Sequence, residues 1–147
     1  MIWLPKKTVV VPVDFSKESF RLLNLAADEF VNDIKELHAI HVLPKLSAAE
    51  PGVIWKTVTD QSRKEHAAVA LKKCLDNDEK FEGLNIEIAI GDPGRKVIDY
   101  CKGIEADLIL MGYSKPNDGI RMSAGTVVDR IVRVSHCPVL VFPPETV

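Results

Sequence analysis

No stretch of this sequence approaches the roughly 20 consecutive apolar residues that a membrane-spanning helix requires, so a bilayer-spanning helix is not expected. An excess of one charge is also missing. The 19 Lys and Arg face 21 Asp and Glu, for a formal net charge of −2, which makes no electrostatic case for nucleic acid or an anionic membrane as principal partner. Cysteine is scarce: Cys74, Cys101 and Cys137 are odd in number, far apart, and form no Cys-x-x-Cys. Reduced, mostly buried thiols of a cytoplasmic protein are expected, with Cys137 packed and not redox active. Met1 to Lys7 does not read as a signal peptide, because its apolar stretch is short and the basic pair Lys6-Lys7 follows it. That pair reads as the solvated start of a strand.

Motifs of familiar chemistries are lacking too. His38 and His41 stand three apart on an expected strand and so point to opposite faces. His66 and His136 have no Cys or His partner at ligand spacing, so no metal site is expected. The sequence contains no Gly-x-Ser-x-Gly elbow, no Gly-x4-Gly-Lys-Ser/Thr loop and no Gly-x-Gly-x2-Gly fingerprint. It shows no repeat, linker or low-complexity segment. Its 147 residues suit one domain spanning 1–147, long enough to bury a core without metals or disulfides.

What is present is an alternation of short β-branched runs with longer helical stretches. Residues 8–13 form a continuous apolar run, like a strand buried on both faces. Ser16 is placed to cap a helix whose inner face carries Phe20, Leu23, Ala27 and Phe30. Residues 37–43 read as a second strand, 44–55 as a mobile loop, and 57–77 as a helix with Ala68, Leu71 and Leu75 inward. A third strand is expected over 84–90 and a turn at Gly91-Asp92. A helix then opens on Pro93, whose missing N–H costs nothing there. Residues 107–112 suit a fourth strand and 113–124 a polar loop. A last helix is expected from Gly125-Thr126 and a fifth strand over 138–142, ended by Pro143-Pro144. The βαβαβαβαβ order predicts an α/β fold, an open five-stranded parallel sheet with helices on both faces. Ligands of such sheets sit beyond the carboxyl ends of the strands, the end that would hold Asp14, Val42, Gly91 and Gly112.

The segment from Gly112 to Thr126 points to phosphate. Glycines allow close backbone approach, and a helix N-terminus offers free N–H donors and a favourable dipole. Lys115 and Arg121 add positive charge, and the Thr126 hydroxyl adds a hydrogen bond. A plain turn and helix start would use the same two glycines. Asp14 likewise suits either a ligand's hydroxyls or a cap before the first helix. Trp55 and its loop suit a cover over the site, a partner surface or an apolar plug.

These residues resemble the universal stress protein family. Its ATP-binding members carry Gly-x2-Gly-x9-Gly-Ser/Thr after the fourth strand; here Gly112, Lys115, Gly125 and Thr126 keep the spacing, with Lys115 replacing the second glycine. Residues 9–14, His41-Val42, Gly91-Asp92-Pro93, residues 106–112 and residues 137–141 resemble the family's other conserved-position segments in order. The resemblance implies a Rossmann-like fold of the adenine nucleotide alpha hydrolase type. It places Pro12, Asp14 and Val42 around adenine and ribose, Met111 and Gly112 beneath the nucleoside, and the N–H groups of Gly125, Thr126 and Val127 at the phosphates. Lys115 either obstructs the phosphate site or pairs with a phosphate. ATP or AMP is the implied ligand, with Mg²⁺ accompanying ATP, in a regulatory stress-response role without strong catalysis. The alternative is a nucleotide-free member acting through dimerisation and protein–protein contacts. The apolar last strand, with Val139, Leu140 and Val141, would lie at a sheet edge open to pairing. The resemblance implies an antiparallel homodimer through it.

Overall fold

The computed structural model of the chain describes residues 3–49, 51–54, 58–112 and 123–143, with backbone alone for 53, 54 and 123–126. Five parallel strands form one sheet: β1 (Val9–Pro12), β2 (Leu37–Leu43), β3 (Asn85–Ile90), β4 (Leu108–Gly112) and β5 (Val139–Phe142). Their order is β3-β2-β1-β4-β5. The expected open, doubly covered α/β sheet is therefore what the chain forms, and β5 is an edge strand.

Side chains on adjacent strand positions sort to opposite faces. Val9, Val11, Leu37, Ala39, Leu108 and Leu110 join one cluster, covered by α1 (Lys17–Leu25) through Leu22 and Leu23 and by α3 (Asp60–Leu75) through Leu71 and Leu75. Val10, Ile40, Ile109 and Met111 join the other, covered by α4 (Pro93–Gly103) through Val97, Ile98 and Cys101 and by α5 (Ser123–Val134) through Ile131. Residues 9–11 are 0% exposed because a central parallel strand has a helix layer on each side.

Local chemistry sets the helix ends. Ser16 caps α1 by accepting from the Ser19 N–H, and a π turn over Ala26–Phe30 continues that helix. Its inner face differs slightly from expectation: Leu22, Leu23, Ala26 and Phe30 are buried, while Phe20 and Ala27 are half-buried. Thr59 and Ser62 form a reciprocal cap, so α3 starts three residues later than its apolar pattern suggested. The 44–55 segment contains a single helical turn, α2 (Pro51–Ile54). Asp92 caps α4, with Pro93 in its first turn. Helix α5 begins at Ser123, two residues before the expected glycine. Cys74 is exposed, contrary to the expectation of mostly buried thiols; it lies on the solvent side of α3, while Cys101 is buried under the sheet. Among the described residues no helix is long and apolar enough to cross a membrane.

Leu110 of β4 is fully buried in the cluster on the α1–α3 face of the sheet. Leu110→Ala is expected to lower unfolding free energy by about 2–5 kcal/mol, read as a lower urea midpoint at unchanged slope.

Candidate functional site

All five strands run the same way, so their carboxyl ends share one end of the molecule. The chain winds from β1 through β2 to β3, then crosses back to β4 on the other side of β1. The crevice between the ends of β1 and β4 is thus the topological switch point, where backbone direction leaves room for a ligand.

Most of the expected site residues meet there. Pro12 ends β1 and Asp14 follows two residues later. Val42 lies two positions beyond Ile40, the register partner of Pro12, and so level with Asp14. Met111 and Gly112 close β4. Val42, Met111 and Val127 pack in one apolar cluster on the α4–α5 face, a floor built from three separate elements. The first N–H groups of a helix have no intrahelical partner. With α5 starting at Ser123, Gly125 and Thr126 fall in this first turn and Val127 follows. Lys115 and Arg121 lie outside the described residues, as do Trp55 and the rest of 113–122.

The two glycines at strand ends differ in cause. Gly91 has a φ of +143°, and a Cβ there would stand 2.8 Å from Lys96 Cε, so the turn itself requires glycine. It also follows the edge strand β3 and donates its N–H to Leu43, away from the β1–β4 crevice. At Gly112 a Cβ would meet Phe142 O at 3.5 Å, an ordinary contact. Among the described residues, neither strain nor crowding demands glycine there.

Asp14 is exposed, and its Oδ1 accepts the Ser16 N–H at 3.0 Å. Ser19 Oγ accepts the Asp14 N–H at 3.4 Å. Partial burial pushes the Asp14 pKa up, but hydrogen bonds from the Ser16 hydroxyl and N–H and from Ser19 outweigh it. The carboxyl sits below its ordinary value. It is therefore an ionised acceptor, which suits hydroxyl donors. Asp14 thus shapes the turn before α1, the second of its two expected roles, while its carboxylate stays exposed at the carboxyl end of β1.

The turn is unusual at Phe15, whose φ is 66°. A bulky residue in this left-handed region costs about 1–3 kcal/mol. Its ring packs edge-on to His41 at 4.8 Å and to Phe20 at 6.1 Å. His41 Nδ1 lies 2.7 Å from the Val13 carbonyl oxygen. A carbonyl only accepts, so Nδ1 carries the proton. Phe15, His41 and Ser19 were not legible as site residues. An Asp-x-Ser turn could have signalled the Ser16 contact, but nothing local signals the His41 pairing.

A second missed feature is the Asp92 carboxylate, which caps α4 through the Arg95 N–H and also accepts from Arg130 Nη1 of α5. Gly94 leaves the space beside it, since a Cβ there would stand 3.0 Å from Arg130 Cδ. The pair is solvent-exposed, so it locates α5 against α4 more than it stabilises the fold.

The remaining titratable pairs lie elsewhere. His38 Nδ1 and Tyr100 Oη are 2.8 Å apart on the α4 face, while His41 faces α1, so the two histidines do point to opposite faces. Burial lowers the His38 pKa. Burial, then the charges of Glu87 and Cys101, pushes Tyr100 up to about 12. Burial and Cys137 push the Cys101 thiol up to about 12, which keeps it protonated and unreactive. Among the described residues no three His, Cys, Asp or Glu side chains group to hold a metal.

Because the folded-state pKa of Asp14 lies below its unfolded value near 3.9, its contribution to stability is complete above that value. It is lost as pH falls through the folded pKa. Asp14→Asn is expected to flatten the fall in urea-unfolding free energy below about pH 4, relative to the parent protein.

The chain matches the model of the universal stress protein family over residues 6–143. A universal stress protein of Methanocaldococcus jannaschii is 30% identical over 140 residues, which cover 92% of this chain and 81% of that one. The solved structure of the universal stress protein UspA from Lactobacillus plantarum superposes with a TM-score of 0.67 at 24% identity, covering 93% of this chain and 98% of that one. A universal stress protein solved in complex with cAMP gives a TM-score of 0.58 at 20% identity, covering 96% and 99%. At these identities the two structures establish likeness of fold.

Proposed function

The chain belongs to the universal stress protein family, and from that premise we propose that it binds an adenine nucleotide, ATP or AMP, as a regulatory module of the cytoplasm without strong catalysis. The observation that carries this is the pairing, at the β1–β4 switch point, of an ionised, exposed Asp14 with the apolar floor of Val42, Met111 and Val127. An apolar floor suits the flat face of a base, and a carboxylate suits the ribose hydroxyls. The first turn of α5 suits phosphate through its N–H groups and its dipole. Pro12 sits on the same face at the end of β1, and Gly112 leaves room for close approach. The structural neighbour solved with cAMP lends the adenine nucleotide class. Mg²⁺ would accompany ATP through its phosphates; we assign it no protein ligand. No catalytic residue is assigned either: Asp14, already ionised and hydrogen-bonded within its turn, is a binding group.

A second reading rests on Lys115, which stands where ATP-binding relatives carry glycine. In it the side chain fills the phosphate space, and the protein acts through protein contacts alone. The two readings divide on calorimetric titration of nucleotide-stripped protein with ATP-Mg²⁺ and then AMP. Saturable micromolar binding, reduced at least tenfold by Asp14→Ala, is the expected outcome; no heat at millimolar nucleotide overturns it. Lys115→Gly then assigns the ammonium: weaker ATP binding marks a phosphate ligand, and stronger binding marks an obstruction.

We also propose a homodimer through β5. Its residues Val139 to Phe142 are only half-buried at the sheet edge, and an unpaired apolar edge favours strand addition. Light scattering at micromolar protein is expected to give twice the chain mass, and Val141→Lys to give the monomer. A monomeric parent protein across that range removes the proposal.

A further inference from the structure

Asp14 is flanked on both sides by contacts to a single side chain. The residue before it, Val13, accepts a hydrogen bond at its carbonyl from His41 Nδ1, 2.7 Å away. The residue after it, Phe15, rests its ring edge-on to the His41 imidazole at 4.8 Å, with the planes 89° apart. The Val13 N–H continues the sheet by donating to Ile40, the neighbour of His41, at 2.8 Å. Both arms of the turn are thus tied to β2, while Asp14 at its tip contacts, among the described residues, its local neighbours Ser16 and Ser19.

Phe15 needs this attachment. Its φ of 66° is a conformation that bulky L residues avoid, and no local hydrogen bond of its own compensates among those that define the turn. The left-handed step at Phe15 is what folds the chain back so that the Ser16 N–H reaches Asp14 Oδ1. Were Phe15 to relax to an extended conformation, that N–H would leave the carboxylate and the carboxylate would leave the mouth of the crevice. The ring held edge-on between His41 and Phe20 opposes this relaxation.

We propose that Phe15 and His41 are positioning residues for Asp14: the His41 clamp holds Phe15 in its left-handed conformation, and that conformation aims the Asp14 carboxylate at the ribose hydroxyls of the bound nucleotide. The clamp itself is independent of any ligand; its role in ribose recognition rests on the nucleotide-binding reading. A glycine at position 15 adopts the same φ without an anchor, whereas an alanine does not. The clamp should therefore matter with Phe15 present and be dispensable with glycine in its place.

Two measurements on the full chain test the two halves separately. The first needs no nucleotide: carbon-13 titration of the Asp14 carboxyl by NMR. Phe15→Ala and His41→Ala are each expected to raise its midpoint toward that of an ordinary aspartate. Phe15→Gly is expected to preserve it, and His41→Ala added to Phe15→Gly to change it no further. Unchanged midpoints in the two alanine variants, or equal His41→Ala effects in both backgrounds, overturn the clamp. The second measurement compares the affinities for ATP and 2′,3′-dideoxy-ATP. The parent protein is expected to prefer ATP by about tenfold or more, the range of a hydrogen bond to a charged group. Phe15→Ala and His41→Ala are expected to bring the ratio toward one while leaving dideoxy-ATP affinity nearly unchanged, and Phe15→Gly to keep the ratio. An equal loss of both affinities marks a merely structural role and overturns the inference. A responsive titration in a protein that binds neither nucleotide upholds the clamp and overturns its ribose role together with the nucleotide reading.

Discussion

The interaction on which the molecule depends is the burial of β1 on both faces at the centre of a parallel sheet. Val9, Val10 and Val11 give up all contact with water, one to the α1–α3 layer, the next to the α4–α5 layer, in alternation. A strand so enclosed, paired with β2 along its length and with β4 at Val9 and Val10, cannot carry a polar side chain until it emerges. Where it emerges is fixed by the length of the apolar run. Asp14 is the first charged residue after it, and it arrives where the winding reverses. The same event that ends the core therefore places a carboxylate in the crevice.

Among the described residues, Asp14 and Asp92 each stand in a strand-to-helix turn, and their surroundings separate their roles. Asp92 follows the edge strand β3, caps α4, and takes a cation, Arg130, onto the same oxygen that accepts the Arg95 N–H. Its charge is matched within the protein. Asp14 follows the central strand; among the described residues its carboxylate accepts the Ser16 N–H and its own N–H donates to Ser19 Oγ, both neutral groups of its own turn. These hold it ionised without neutralising it. A carboxylate with about four lone-pair sites and no partner cation among the described residues retains capacity to accept from a ligand. Position in the sheet order, not residue type, makes the difference.

Elements governed by local chemistry were legible in the sequence. The bounds of β2, residues 37–43, follow from a run of apolar residues and two histidines closed by Pro44. The start of α4 follows from Pro93, and the cap of α1 from Ser16. The misreadings arose where a pattern admits competitors. The start of α5 was tied to Gly125, a weak helix former, while the helix begins at Ser123. The start of α3 was drawn at Thr57, although the Thr59–Ser62 cap sets it at Asp60. Exposure of Cys74 on a helix with only Leu71 and Leu75 fully inward was hidden by that helix's weak amphipathic pattern. Asp14 and Val42 could be placed at the carboxyl end of the sheet from strand position alone, whereas Met111 and Val127 entered only through the family resemblance, and the apolar cluster they share was not legible. Nor was the left-handed Phe15, because its cause is His41, 26 positions downstream and joined only by folding.

The α5 side of the crevice, which the nucleotide-binding reading would assign to phosphate, is held in place from two directions. Ile131 is fully buried against Ile40 and Val97, and Val127 and Val128 pack beside it. About two turns inward from the helix start, Arg130 lies across the Gly94 notch and reaches Asp92. An apolar anchor on one side and a directional ion pair on the other define both the depth and the rotation of the helix. A helix held only by apolar contacts can roll on its apolar face; one tethered to a neighbouring cap cannot roll without breaking the tether. The exposed ion pair adds little stability by itself. Its effect is to limit the orientations of the first turn before any ligand arrives, which lowers the ordering cost that binding must meet.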